Sequence, residues 1–143
     1  MNLWEGEILS RFTWKGNEFN VRTVCHPAQD MISAHIDSHL HTGIKFHFPY
    51  PTGIHTDNAC DWDANDKHST EVLKQDTQSA VLKRTLDSTV YYVELKWEGK
   101  ALLKEKEKNY FVLLPQEDAF SFSCAFTANE PDQLTVLPDF FEV

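Results

Sequence analysis

Cysteine is scarce in this chain. The 143 residues hold three, Cys25, Cys60 and Cys124, an odd number without close spacing, so they form neither a disulfide framework nor a zinc knuckle. They read as buried or idle thiols and leave the compartment open. Cys25 and His26 are adjacent, but neighbours on a strand point to opposite faces, which argues against a catalytic dyad. Glycine numbers only five, with no Gly-x-Ser-x-Gly elbow and no Gly-rich phosphate loop, so nucleophilic hydrolysis and nucleotide binding have no local signature. No apolar run reaches the roughly 18 residues that a membrane helix needs. The first ten residues, MNLWEGEILS, lack a basic segment followed by an apolar one, so no signal peptide is expected in this stretch. Positive charge is also in deficit, 13 Lys and Arg against 22 Asp and Glu, a net of −9. That balance disfavours nucleic acid and anionic membrane as partners. The densest run of lysine, Lys100–Lys108, is interleaved with glutamate and reads as a solvated strand or hairpin.

A helical period is missing too. No stretch of ten or more residues repeats at 3.6. What is present is alternation. Ile8, Phe12 and Trp14 oppose Glu7, Arg11 and Thr13; Phe19, Val21, Thr23 and Cys25 share a face; Ile32, Ala34 and Ile36 oppose His35, Asp37 and His39. Ile44, Phe46, Phe48 and Tyr50 alternate with Lys45 and His47. A short strand of weak signal is expected at 70–74 and a stronger one at 80–86, where Leu82 and Leu86 flank Arg84. Tyr91, Val93, Leu95 and Trp97 mark the clearest strand, and 101–106, 109–115 and the Phe120, Phe122, Cys124, Phe126 series complete the set. Ten short strands separated by turn residues predict an all-β, antiparallel sandwich or barrel over 1–128, with a linker-like tail at 129–143. Phe12–Gly16 and Leu95–Gly99 each put Trp two residues before a turn glycine, as ordinary hairpin tips do.

The chain is organised around Gly43–Glu71. Pro49 and Pro51 are expected to end the strand that starts at Ile44, because proline cannot donate to a ladder. A polar loop of about 18 residues follows, without secondary structure of its own, and loops of that length are commonly functional. It carries His55, Asp57, Asp61, Trp62, Asp63 and His68. An indole beside carboxylates is what a sugar-contacting surface uses, an aromatic face with hydrogen-bond acceptors, and these six are the candidate contacts. The plainer alternative is a solvated surface. Paired carboxylates also serve glycoside hydrolysis. Asp61-Trp62-Asp63 lacks the turn glycine and distal glutamate of an EF-hand loop, so calcium is not expected. Four histidines fall between 35 and 47. If the third and fourth strands pair, His35 faces His47 and the two could share a metal; the alternative is two surface histidines, and no third ligand is fixed by spacing. No cofactor is expected.

Four segments occur in order: LWEGEILSRFTWKGNEFNVRTVCHPAQDMISAHIDS, FHFPYPTG, RTLDSTVYYVELKWEG and FTANEPDQLTVLPDFFEV. With His26-Pro27 and Asp30, Phe48-Pro49-Tyr50-Pro51, and Leu137-Pro138 followed by Phe141-Glu142, the chain resembles the N-terminal β-sandwich of glycosidases related to glycoside hydrolase family 65, relatives of maltose phosphorylase and trehalose hydrolase. The resemblance implies a supersandwich like that of galactose mutarotase, present here in part. It implies a non-catalytic domain that packs on an (α/α)6 helical catalytic barrel and lends the 51–69 loop to an oligosaccharide site. The family's catalytic acid lies in the barrel, so no catalytic residue is carried onto this sequence. Two other readings stand beside it: a self-contained acidic β-protein that binds another protein, as immunity or inhibitor modules do, and a cupin-like metal enzyme built on His35 and His47.

Overall fold

The computed structural model describes residues 1–2, 4–56 and 58–131. Asp57 and most of the 129–143 tail, which the sequence reading singled out, lie outside the described residues. Those described contain twelve strands and no helix. The strands are β1 (Glu7–Trp14), β2 (Asn17–Cys25), β3 (Met31–Asp37), β4 (Ile44–His47), β5 (Tyr50–Pro51) and β6 (Cys60–Asp61). They continue with β7 (His68–Gln75), β8 (Ser79–Leu86), β9 (Thr89–Trp97), β10 (Ala101–Glu107), β11 (Tyr110–Pro115) and β12 (Ala119–Thr127).

All pairings are antiparallel. Seven strands form one sheet in the order β1-β2-β3-β12-β9-β8-β7, and three form a second in the order β10-β11-β4. The last strand is thus inserted at the centre of the large sheet, with Phe122 opposite Ala34 on one side and Trp97 on the other. The predicted all-β, antiparallel class is the observed one.

Alternation decides which face closes. Leu82, Val93, Leu95 and Trp97 from the large sheet share one core cluster with Leu103, Phe111 and Leu113 from the small one. Phe46 of β4 meets Phe122 edge-on, with ring centroids 5.7 Å apart. Each such fully buried side chain stabilises the fold by about 1.5–3 kcal/mol. The Tyr91, Val93, Leu95, Trp97 face predicted for β9 is the one that meets this core. Tyr92 and Glu94 on its other face are buried as well. The chain enters β4 through Gly43, where a Cβ would overlap the Val112 side chain. That close approach is what admits the strand to its place beside β11.

Two expectations are corrected. The strand predicted from Ile44 to Tyr50 is broken in two: β4 joins β11, while Tyr50 and Pro51 leave the small sheet and pair with Asp61 and Cys60. Pro51 is accommodated because this ribbon has two strands and asks of proline only what its carbonyl can give. The pairing of the third and fourth strands does not occur. β3 lies between β2 and β12, with His35 opposite Arg22 and Ser121, whereas β4 is in the other sheet with His47 opposite Tyr110. The two imidazoles therefore share no ladder, and the cupin-like metal reading loses its premise.

Candidate functional site

The long loop is tied down at both ends. Its stem is the β5–β6 ribbon, and Thr52 N donates to Ala59 O at 3.1 Å just beyond it. Thr52 Oγ1 donates to Asn58 O at 2.5 Å. Gly53 turns the chain at φ +74°, a conformation that glycine adopts without strain. After β6, Asp63 N donates to Asp61 Oδ1 at 3.0 Å, an Asx turn, and Asn65 N and Lys67 N bond to the carbonyls of Asp63 and Ala64. The expected structureless loop is thus a compact excursion with a ribbon stem and successive local turns.

Beneath it lies a buried polar cluster. Arg84 is 1% exposed, on the core face of β8. Its Nη1 donates to Thr70 Oγ1 at 2.7 Å, to Asn109 Oδ1 at 3.2 Å and to Ser69 O at 3.2 Å. Its Nη2 donates to His68 Nδ1 at 2.9 Å, and its Nε to the Tyr91 hydroxyl at 3.3 Å. The guanidinium carbon sits 4.8 Å from the Phe48 ring centroid. These hydrogen-bond partners are all neutral. Bonds to a charged donor stabilise by about 1.5–3 kcal/mol each, and the flanking ring adds a cation–π contribution. Asn109 is fully buried in the β10–β11 turn at φ +63° and donates on to Asn65 Oδ1 at 3.3 Å. One cluster thereby joins the large sheet, the small sheet and the loop.

His68 is the junction. A guanidinium only donates, so Nδ1 of His68 accepts and the imidazole is neutral with its proton on Nε2. Burial lowers its pKa from the ordinary value, and the Arg84 charge lowers it further. Tyr50 stands beside it, with rings 5.9 Å apart, and donates its hydroxyl to Asp87 Oδ2 at 2.9 Å. That bond to a carboxylate raises the phenol pKa.

Above this anchor the loop presents Trp62, which is 50% exposed. Its ring lies 4.7 Å from that of His47, which lies 5.0 Å from Tyr110. β4 and β11 hold those two rings opposite one another in register, so the indole rests on a platform that the sheet supplies. Asp61 is half-buried in β6, and Asp63 and His55 are exposed. Of the six candidate contacts, Trp62, Asp61 and Asp63 are contiguous beside the platform. His55 is farther along the excursion, and His68 is 4% exposed and turned into the Arg84 cluster.

Two of the remaining histidines meet elsewhere. Beyond the end of β3, His39 Nδ1 and His41 Nε2 each bond one oxygen of Asp118, both at 2.7 Å. The His39 bond, then the His41 bond, lowers the Asp118 pKa. Among the described residues, no group of three or more His, Cys, Asp or Glu is arranged to hold a metal ion. Cys124 is enclosed in the core, where burial pushes its thiol up to about 12.

No protein-family model matches the chain, and none of the curated proteins does. The geometry is therefore the main guide. Sequence reasoning missed Arg84, Thr70, Asn109 and Tyr110. A signal existed for the first: Arg84 falls between Leu82 and Leu86 on an alternating apolar face, where a guanidinium must enter the core or break the pattern.

Proposed function

We propose that this chain is a non-catalytic β-sandwich domain of a carbohydrate-active enzyme, a glycoside hydrolase or phosphorylase of the family 65 kind. In this reading its two larger sheets form part of a galactose-mutarotase-like supersandwich. It packs on a helical (α/α)6 catalytic barrel and contributes the 51–69 loop to the sugar site. The observation that carries the reading is Trp62: a half-exposed indole, supported by His47 and Tyr110, with carboxylates on either side of it in sequence. Sugar rings offer flat patches of C–H to an aromatic face and hydroxyls to carboxylate acceptors. A held indole is better prepared for that contact than a free one, because less side-chain entropy is lost on binding. The family resemblance in the sequence supports the same assignment.

The test is a titration of the 143-residue protein with a panel of gluco-oligosaccharides, followed by tryptophan fluorescence and by amide shifts. Shifts at 60–63, 47 and 110 that vanish in Trp62→Ala support the reading. Saturating sugar that leaves those amides unmoved would remove the sugar contact from it.

A further inference from the structure

The large sheet is buried on both faces. Leu82, Val93 and Leu95 share the core with the small sheet. Their neighbours in sequence point to the outer side, because side chains alternate along a strand. A belt of these outer side chains is buried as well. Register lines it up across the sheet. One row runs Val81, Glu94, Ala125, Met31, and the next runs Lys96, Ser123, Ser33, Val24. All of them except Ala125 and Lys96 are buried, and those two are half-buried. β3 shows how one-sided the cover is. Ile32, on the core-bearing side, is 39% exposed, whereas Met31 and Ser33 on the outer side are 3% and 0% exposed.

These exposures are those of a single chain, so the chain itself supplies the cover. Among the described strands none lies over the belt. The small sheet and the β5–β6 ribbon are on the core side, where Phe46 meets Phe122 and Tyr50 stands beside His68. At the amino end Asn2 is bridged to Glu7 at the sheet edge, and Trp4 is exposed. The other end of the chain arrives at the belt. Beyond β12 it crosses to β7, where Lys74 Nζ donates to Pro131 O at 2.9 Å. Lys74 is opposite Val81, so it stands at one end of the first row. The rest of the chain is residues 3, 57 and 132–143, and two single residues cannot cover six strands.

We propose that residues 132–143 are a strap docked across the outer face of the large sheet, running from Lys74 on β7 along the belt toward Val24 on β2. The length suffices. Twelve residues reach about 40 Å when extended, and six strands about 4.8 Å apart put roughly 24 Å between β7 and β2. The width agrees too, since two rows of side chains are what one crossing chain covers. So does the chemistry. Leu134, Val136, Leu137, Phe140 and Phe141 supply apolar side chains for Val81, Met31 and Val24. The belt carries Lys74 and Lys96 against Glu94, and the segment brings Asp132, Asp139 and Glu142 to it. Ser33 and Ser123, whose hydroxyls bond each other at 2.6 Å, are short enough to let a backbone pass close. The tail is then a part of the domain and not a linker leaving it. The inference does not rest on the sugar reading, because it uses the opposite side of the molecule.

The experiment is nuclear magnetic resonance on the isotope-labelled 143-residue protein. Nuclear Overhauser contacts are expected between side chains of 134–141 and those of Val24, Met31 and Val81. They are expected to stay within one chain when labelled and unlabelled protein are mixed. A chain ending at Pro131 is expected to show shifted amides along the belt and a lower urea midpoint. A synthetic 132–143 peptide added to it is expected to return those amides toward their full-length positions. The full-length contacts decide the matter whether or not the shorter chain folds. Their absence in the folded protein, contacts found only between different chains, or a folded shorter chain whose belt amides do not move would each overturn the proposal.

Discussion

Nη2 of Arg84 donates to Nδ1 of His68 across 2.9 Å, and both side chains are buried. The bond holds only while the imidazole is neutral, because a protonated ring would set two donors face to face. Burial and the arginine charge lower the His68 pKa from its ordinary 6.5 in the folded state. Below that value the unfolded chain binds a proton that the folded chain resists. The stability this site contributes is therefore present above pH 6.5 and declines as pH falls toward the folded value. Melting temperature should drop between pH 7.5 and 5.5, and the drop should be smaller in His68→Phe. An identical pH dependence in that variant would show that other groups carry the effect.

Arg84 itself should be costly to lose. Arg84→Met keeps much of the stem volume but leaves His68 Nδ1, Thr70 Oγ1 and the Ser69 carbonyl without their donor. Each buried polar group deprived of its partner costs about 1–3 kcal/mol, so a total on the order of 3–5 kcal/mol is expected. Urea denaturation would register it as a lower midpoint at an unchanged slope. A change under about 1 kcal/mol would mean that water replaces the guanidinium at little cost.

Trp62→Ala makes the opposite claim. The indole is half-exposed and touches His47 from one side. Losing that ring contact should cost about 1 kcal/mol or less. A buried lid would cost about 3–5 kcal/mol. The same variant should abolish the sugar-dependent shifts at 60–63. A large fall in denaturation midpoint would make the loop a structural cover instead.

The sequence reveals elements more readily than their partners, for a physical reason. The face of β9 is legible because Tyr91, Val93, Leu95 and Trp97 repeat at a period that any strand imposes locally. Sheet membership is not local. Whether β3 meets β4 or β12 is decided by which apolar faces can close over one another, and β12 begins 82 residues after β3 ends, at Ala119 against Asp37. The misplaced His35–His47 pair followed from taking the nearest strand as the partner. Trp62 was legible as a displayed residue because carboxylates on either side resist burial. The platform beneath it was not, since the contact between the His47 and Tyr110 rings depends on β11 pairing with β4. Arg84 was passed over because a charged residue in a strand ordinarily marks the solvent side, and only tertiary structure supplies the acceptors that let it turn inward.

The two look-alike hairpin tips give the sharpest contrast. Trp14 precedes Gly16 and Trp97 precedes Gly99, with turn glycines at φ +76° and +77°. Local chemistry makes the two tips the same. Yet Trp97 is 2% exposed, packed in the core cluster, and donates Nε1–H to Thr77 O at 3.1 Å, while Trp14 is 47% exposed. The difference is the layer above: the small sheet covers β9, and nothing described covers β1. Trp97→Ala should therefore cost about 3–5 kcal/mol, as for a large buried aromatic. Trp14→Ala should cost less than about 1 kcal/mol, since only its contact with Phe19 and the lysine above it is lost. Urea denaturation of both variants measures the contrast. A Trp14 cost as large as that of Trp97 would mean that β1 has a cover of its own.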